Sequence, residues 1–304
     1  MAEGAESRQS LSVVVITVEG PVRLRQCLAA LRAQDAAPAE ILAPWDPARG
    51  DTASLQREFP EVRFLHAGCA HWTYARLRTL GVSQAKGSMV ALTEDHFTPA
   101  ADWCRQIVAA HAAPHAAIGG AVEKDTPDKA LNWAFYFADY LRYLDPCEGP
   151  SPSLTDGNVT YKRTALMEIA GVWQAEFHEN LVHRALASRG ESLWLSPRIV
   201  VRQKRDVSFR EAVYDRYAFG RLFGSTRVEG LSTIDRVKLA LACGLLPPVL
   251  VSRVIQHVLR TGRYRAALLR TLPALCLLST IWAWGEFAGY CTGRPEKTLA
   301  ARAQ

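Results

Sequence analysis

What this sequence lacks narrows its reading before any motif is considered. None of its seven cysteines is paired as Cys-x-x-Cys, so neither a zinc ribbon nor a dithiol redox motif is encoded. Cys27, Cys69, Cys104, Cys147, Cys243, Cys276 and Cys291 are scattered and odd in number, the pattern of reduced thiols in a cytosolic domain. There is no zinc-finger spacing, no RNP-like strand and no polybasic tail, so the net charge of +6 does not signal nucleic acid. Phosphorylated ligands and anionic lipid suit the same sign. Residues 1–10 are polar and lack the apolar core of a signal peptide, so the front of the chain is expected to be disordered and to stay in the cytosol. Internal repeats and low-complexity linkers are absent. What remains is 304 residues, 49% hydrophobic and 22% charged, room for one large α/β domain and an accessory segment.

Residues 11–205 alternate short apolar runs with helical patterns, as βαβ units do. The run at 11–16 is continuous and β-branched, which predicts a strand buried on both faces. Further strands are expected at 40–43, 62–65, 88–93, 118–122 and 193–201, and helices at 23–34, 75–85, 163–170 and 179–189. After about residue 206 the character changes. Residues 206–235 interleave Phe209, Val213, Tyr217 and Phe219 with Arg210, Arg216, Arg221 and Arg227, predicting an amphipathic helix that seeks an interface. Residues 236–292 are predicted to form membrane-associated helices. Within them 239–252 is apolar but short for a span and interrupted by Pro247 and Pro248, whereas 268–290 is long enough to cross a bilayer of ~30 Å. Residues 293–304 read as a polar tail.

In an open parallel sheet, ligands gather beyond the carboxyl ends of the strands. Glu19 follows the first strand, Asp46 the second, and Glu94 and Asp95 the fourth. Several carboxylates at one edge point to a cation or a polar ligand.

An ordered set of motifs runs through the same region. Thr17 is followed by Leu31-Arg-Ala-Gln34, Trp45-Asp46, Leu77-Arg78-Thr79-x-Gly81-x-x-x-Ala85-x-Gly87, Glu94-Asp95-His96 and Pro99-x-x-x-Trp103. Asp156-Gly-Asn158, Arg163, Gly171-Val-Trp173 and Glu179-Asn180 follow. In order and spacing these resemble the inverting family-2 glycosyltransferases, non-processive and membrane-associated in type, across residues 11–205.

The resemblance implies an α/β fold of the GT-A type, a Rossmann-like and mostly parallel sheet, here with a C-terminal hydrophobic helical membrane segment. It also implies a nucleotide-diphosphate sugar as donor and Mn²⁺ or Mg²⁺ as cofactor, suited to hard oxygen ligands. Asp46 would read the base, and Arg78 would lie near the nucleotide with Thr17, Glu19, Glu94, Asp95 and Gln203. Asp95 and His96 would hold the metal, the imidazole shifting the preference toward Mn²⁺. Glu179 would be the base that deprotonates the acceptor, with Asp156 in reserve. The acceptor is expected to be lipid-linked or membrane-associated, a precursor of a surface polysaccharide, with the catalytic domain on the cytoplasmic side of the membrane. Trp45, Thr79, His96 and Asn180 depart from the family pattern, which keeps open a catalytically degenerate sugar-nucleotide sensor or scaffold. No Gln-x-x-Arg-Trp follows the last strand, disfavouring a polymerising synthase. The stretch after the first strand has one glycine and no basic residue, disfavouring a nucleotidyltransferase.

Overall fold

A computed structural model of the chain describes residues 10–68, 72–144, 148–228 and 230–294. Most of the polar ends expected at 1–10 and 293–304, together with Cys69 and Cys147, lie outside the described residues. The chain forms two compact units, one of residues 10–125 and 142–205, the other of 126–141 and 206–294.

The first unit is built on a mixed sheet. Its strands are β1 (Leu11–Ile16), β2 (Glu40–Trp45), β3 (Val62–His66), β4 (Met89–Glu94), β5 (Phe97–Pro99), β6 (Ala117–Lys124), β7 (Gly149–Pro150), β8 (Asn158–Lys162) and β9 (Leu193–Gln203). They lie in the order β3-β2-β1-β4-β8-β6-β9-β5, with β7 paired to β9. The first four are mutually parallel, so the carboxyl ends of β1, β2 and β4 share one edge. Strand β8 enters antiparallel beside β4 with Asn158 opposite Thr93, which brings the segment before it to that edge too. Strand β9 pairs with β5 so that Gln203 faces Phe97.

The reasons for this arrangement are local and apolar. Val13, Val14, Val15 and Ile16 of β1 are fully buried, each contributing roughly 1.5–3 kcal/mol relative to an exposed side chain. Pro21 opens the helix Pro21–Arg32, where its missing N–H costs nothing. Thr73 caps the helix Tyr74–Gln84 by accepting from Arg76 N–H. Gly81 lets that helix lie on β1: a Cβ there would stand 2.2 Å from Val14 Cγ1. Gly87 is equally constrained, with Ser10 O 2.7 Å from the place of a Cβ.

The second unit is helical: Ala130–Tyr140, Phe209–Arg227, Thr233–Ala242, Leu246–Thr261 and Arg265–Thr292. Phe135, Tyr136 and Phe137 of the first helix are buried, so this aromatic run packs as a helix. Ser208 and Glu211 form a reciprocal capping box that starts Phe209–Arg227. That helix meets Arg265–Thr292 through glycines on both sides. Cβ atoms built at Gly220, Gly224, Gly285 and Gly289 would stand 2.5 Å from Trp282 O, 2.5 Å from Glu286 O, 2.3 Å from Tyr217 O and 2.4 Å from Arg221 O. Small residues spaced four apart allow backbones to approach this closely. Arg216 is buried beside the crossing, paired with Asp139 and 4.2 Å from the Trp282 ring centroid.

The expectation that 239–252 is too short to span is corrected. Thr233–Thr261 is one helical run of 29 residues containing an 18-residue stretch of mean hydropathy 1.7, because Pro247 and Pro248 sit in the first turn of Leu246–Thr261, where proline is tolerated. Arg265–Thr292 is a second run, of 28 residues with an 18-residue stretch of mean hydropathy 1.5. Both are long and apolar enough to cross a membrane. In Thr233–Thr261 few side chains are covered, and Ile234, Val237, Leu241 and Leu245 are exposed.

Replacing Gly285 by Ala should destabilise the protein by about 1–3 kcal/mol through overpacking, more than any gain in helix propensity returns. Gly244→Ala, where nothing lies within 4 Å of a new Cβ, should not. Thermal unfolding of the two variants checks this.

Candidate active site

The shared strand edge gathers the acidic residues around one buried cation. Arg78, carried by Tyr74–Gln84, donates from Nη2 to Glu94 Oε1 at 2.8 Å and pairs through the same nitrogen with Asp156 Oδ2. Burial works against the guanidinium charge, but Asp156, Glu94 and Glu179 outweigh it and hold the pKa of Arg78 above its ordinary value. The other oxygen of Glu94, Oε2, lies 3.6 Å from His96 Nδ1. Burial, then the charge of Asp156, raises the Glu94 carboxyl, partly offset by His96 and Arg78.

Glu179, the first residue of the helix Glu179–Ser188, is half-buried in the same cluster. Burial and the neighbouring Asp156 push its carboxyl from an ordinary 4.5 up to about 7, against the pull of Arg78. The sequence thus places Glu94, Asp156 and Glu179 far apart, and the fold brings them to one guanidinium.

Asp95 is engaged differently. Its carboxylate accepts from Glu19 N–H at 3.1 and 2.9 Å and from Gly20 N–H at 2.9 Å, which fixes the turn between β1 and the next helix. Its Oδ1 is 3.8 Å from His96 Nδ1. His96 is buried, yet neither ring nitrogen has a hydrogen-bond partner. A buried imidazole normally satisfies at least one nitrogen. An unpartnered Nδ1 beside two carboxylates offers one imidazole and oxygen donors, a set that Mn²⁺ accepts in type. Among the described residues no three His, Cys, Asp or Glu side chains converge as a ready-made cage, so most ligands would come from elsewhere.

The remaining expected residues line the same edge. Thr17 is buried with an unpartnered hydroxyl. Glu19 pairs with Arg205 at 2.6 Å. Asp46 is buried and accepts from Ala48 N–H at 2.9 Å and Trp72 N–H at 3.1 Å, capping the turn Pro47–Arg49. Gln203 is buried at the end of β9.

Two residues near the edge were not singled out by the sequence. Arg49 donates to Val18 O at 2.9 Å and to the Tyr74 hydroxyl at 3.3 Å. His183 lies one helical turn after Glu179 and is bonded to Tyr161, a spacing that could have been noticed. Of the departures from the family pattern, Trp45 donates to Gly50 O at 2.9 Å and Thr79 to Trp173 O at 2.9 Å, both structural bonds.

Replacing Asp95 by Asn would set an NH₂ group against backbone N–H donors. Loss of a charge-assisted acceptor there should cost roughly 1–3 kcal/mol of stability, measurable by urea unfolding.

No curated protein matches the chain. A solved structure of GalNAc-T7 with UDP, GalNAc and Mn²⁺ is similar, with a TM-score of 0.51 and 16% identity over 69% of this chain and 48% of that one. The chain thus spans about half the length of that relative, and the likeness is one of fold. Residues 12–170, just over half of the chain, match the family described as Glycosyl transferase family 2. By this match the chain belongs to that family, and its mixed sheet has the GT-A fold.

Proposed function

We propose that the protein transfers a single sugar, with inversion, from a nucleotide-diphosphate sugar to a lipid-linked or otherwise membrane-associated acceptor on the cytoplasmic side of a membrane. The observation that carries this reading is the convergence on Arg78 of Glu94, Asp156 and Glu179, with the Glu179 carboxyl raised to about 7. A carboxyl with a pKa near the working pH is an effective general base.

In this reading Glu179 accepts the proton of the acceptor hydroxyl as its oxygen attacks the sugar carbon and the nucleoside diphosphate departs from the opposite face. Asp156 keeps that proton affinity high. Arg78 neutralises the cluster before the donor binds and lies where it could face the diphosphate afterwards. His96, with Glu94 and Asp95 beside it, would hold Mn²⁺ or Mg²⁺, which supplies charge neutralisation to the departing diphosphate. Thr17, Glu19, Asp46 and Gln203 would line the nucleotide. The UDP and Mn²⁺ of the similar solved structure suggest the first probes. The acceptor assignment draws on the two apolar helical runs, which are long and apolar enough to attach the chain to a membrane.

UDP with Mn²⁺ is expected to raise the melting temperature, and GDP or another nucleoside diphosphate takes its place if the base differs. EDTA or His96→Ala should remove the shift. Absence of any shift across the nucleoside diphosphates would refute the donor assignment.

Transfer or donor hydrolysis should be lost in Glu179→Gln, by on the order of 100-fold or more, with nucleotide binding retained. In the wild type kcat/KM should rise with pH through about 7 as the base loses its proton. Stability has the opposite sign. The folded state holds the Glu179 proton more tightly than the unfolded chain, so this contribution is full below 4.5 and is lost as pH rises through about 7. Glu179→Gln should therefore gain melting temperature over the wild type at pH 8 and not at pH 4.

A further inference from the structure

Beneath the acidic cluster lies a buried pair that the proposed reaction does not use. His183 is one turn beyond Glu179 on the helix Glu179–Ser188, on the same face. Its Nε2 is 2.9 Å from the Tyr161 hydroxyl, on β8. Its Nδ1 receives Leu154 N–H at 3.5 Å, two residues before Asp156. Both side chains are buried. Because Leu154 N–H points at Nδ1, that nitrogen is the acceptor, and the ring proton sits on Nε2 and is donated to the Tyr161 oxygen. Burial drives the imidazole down to about 4, so it stays neutral and keeps this tautomer. Leu154 is itself fixed against β6: a Cβ on Gly119 would lie 2.9 Å from Leu154 Cδ2.

One imidazole therefore joins three elements: the helix that begins with Glu179, the strand β8, and the loop that carries Asp156. We infer that His183 is a positioning residue, which ties Glu179 and Asp156 to a common frame and so holds the two carboxyls together as a pair. The inference deepens the reading of Glu179 as the base and rests on it for its bearing on catalysis, but not for the geometry.

The physical logic is that a neighbouring negative charge in a buried site disfavours ionisation of a carboxyl, whereas a separated carboxyl ionises in the ordinary range. Around Glu179, Asp156 comes from the loop, Glu94 from β4, Arg78 from Tyr74–Gln84, Tyr161 from β8 and Tyr143 from the short turn Leu141–Tyr143. Of these, Asp156 is the negative charge that matters most and the one that His183 restrains through Leu154. Cutting the tie should let the Glu179 end of its helix relax toward solvent.

The test is a direct titration in the full chain labelled with ¹³C-glutamate, the Glu179 carboxyl signal being assigned by its loss in Glu179→Gln. The double variant His183→Phe/Tyr161→Phe keeps a ring at each position and removes both members of the His183–Tyr161 pair together, leaving Leu154 N–H as the group that loses its partner. In that variant the apparent pKa of Glu179 should fall by about one unit or more toward the ordinary carboxylate value. His183→Gln, able to reach Tyr161 but not Leu154, is a second variant should the first fail to fold, and the same fall is expected. An unchanged titration in a folded variant overturns the inference. Where transfer is measurable, kcat should drop on the order of tenfold while UDP binding with Mn²⁺ is unchanged. If Glu179→Gln retains full transfer, the base assignment fails, while the titration still decides whether His183 positions the pair.

Discussion

A buried guanidinium is the constraint on which this site depends. Glu94, Asp156 and Glu179 arrive from a strand end, a loop and a helix start, and three carboxylates at one dry edge would repel each other without Arg78. Arg78 reaches that place because Gly81, three residues on, lets its helix settle directly on β1. The position of the charge is thus fixed by packing well below the site. Arginine suits the task because burial does not strip its proton. Charge balance here has a second effect. It leaves the carboxyl of Glu179 raised, because burial and the charge of Asp156 outweigh the pull of Arg78.

The motifs that announce the family divide into those that do chemistry and those that build the frame. Gln34 donates to Ala100 O and accepts from Cys104 N–H, tying the chain just beyond Pro21–Arg32 to the start of the helix Trp103–Ala110. Trp103 donates to Asn158 Oδ1 at 2.9 Å, and Asn158 donates to Ala121 O and Ile199 O, each at 2.9 Å. Two motifs more than fifty residues apart are therefore two halves of one buried joint. Asp95 belongs with them through its bonds to Glu19 and Gly20, even while its free lone pairs face His96.

The parallel half of the sheet was legible in the sequence because β1, β2 and β4 are mostly buried apolar runs, which mark themselves locally. The acidic edge was legible for the same reason, since each carboxylate follows such a run. The other half was harder. Strand β8 owes its place between β4 and β6 to pairings such as Thr93 with Asn158, and no local pattern reports a partner sixty-odd residues away. Arg49 and His183 carry little local signal because their meaning lies in distant contacts. The helical run Thr233–Thr261 was underestimated for an opposite reason: two prolines that usually break a helix instead start one.

The helix Ala130–Tyr140 belongs, by its packing, with segments that follow residue 206. Its Asn132 accepts from Val207 N–H and donates to Asp206, and its Trp133 meets Tyr264 at 5.1 Å. A fragment ending near residue 205, the natural choice for a soluble catalytic piece, would keep this helix and discard the surfaces that cover Phe135, Tyr136 and Phe137. The apolar liability such a truncation is meant to remove would reappear in its middle, so any shortened form must carry either the whole chain to residue 294 or a short polar bridge in place of residues 126–141.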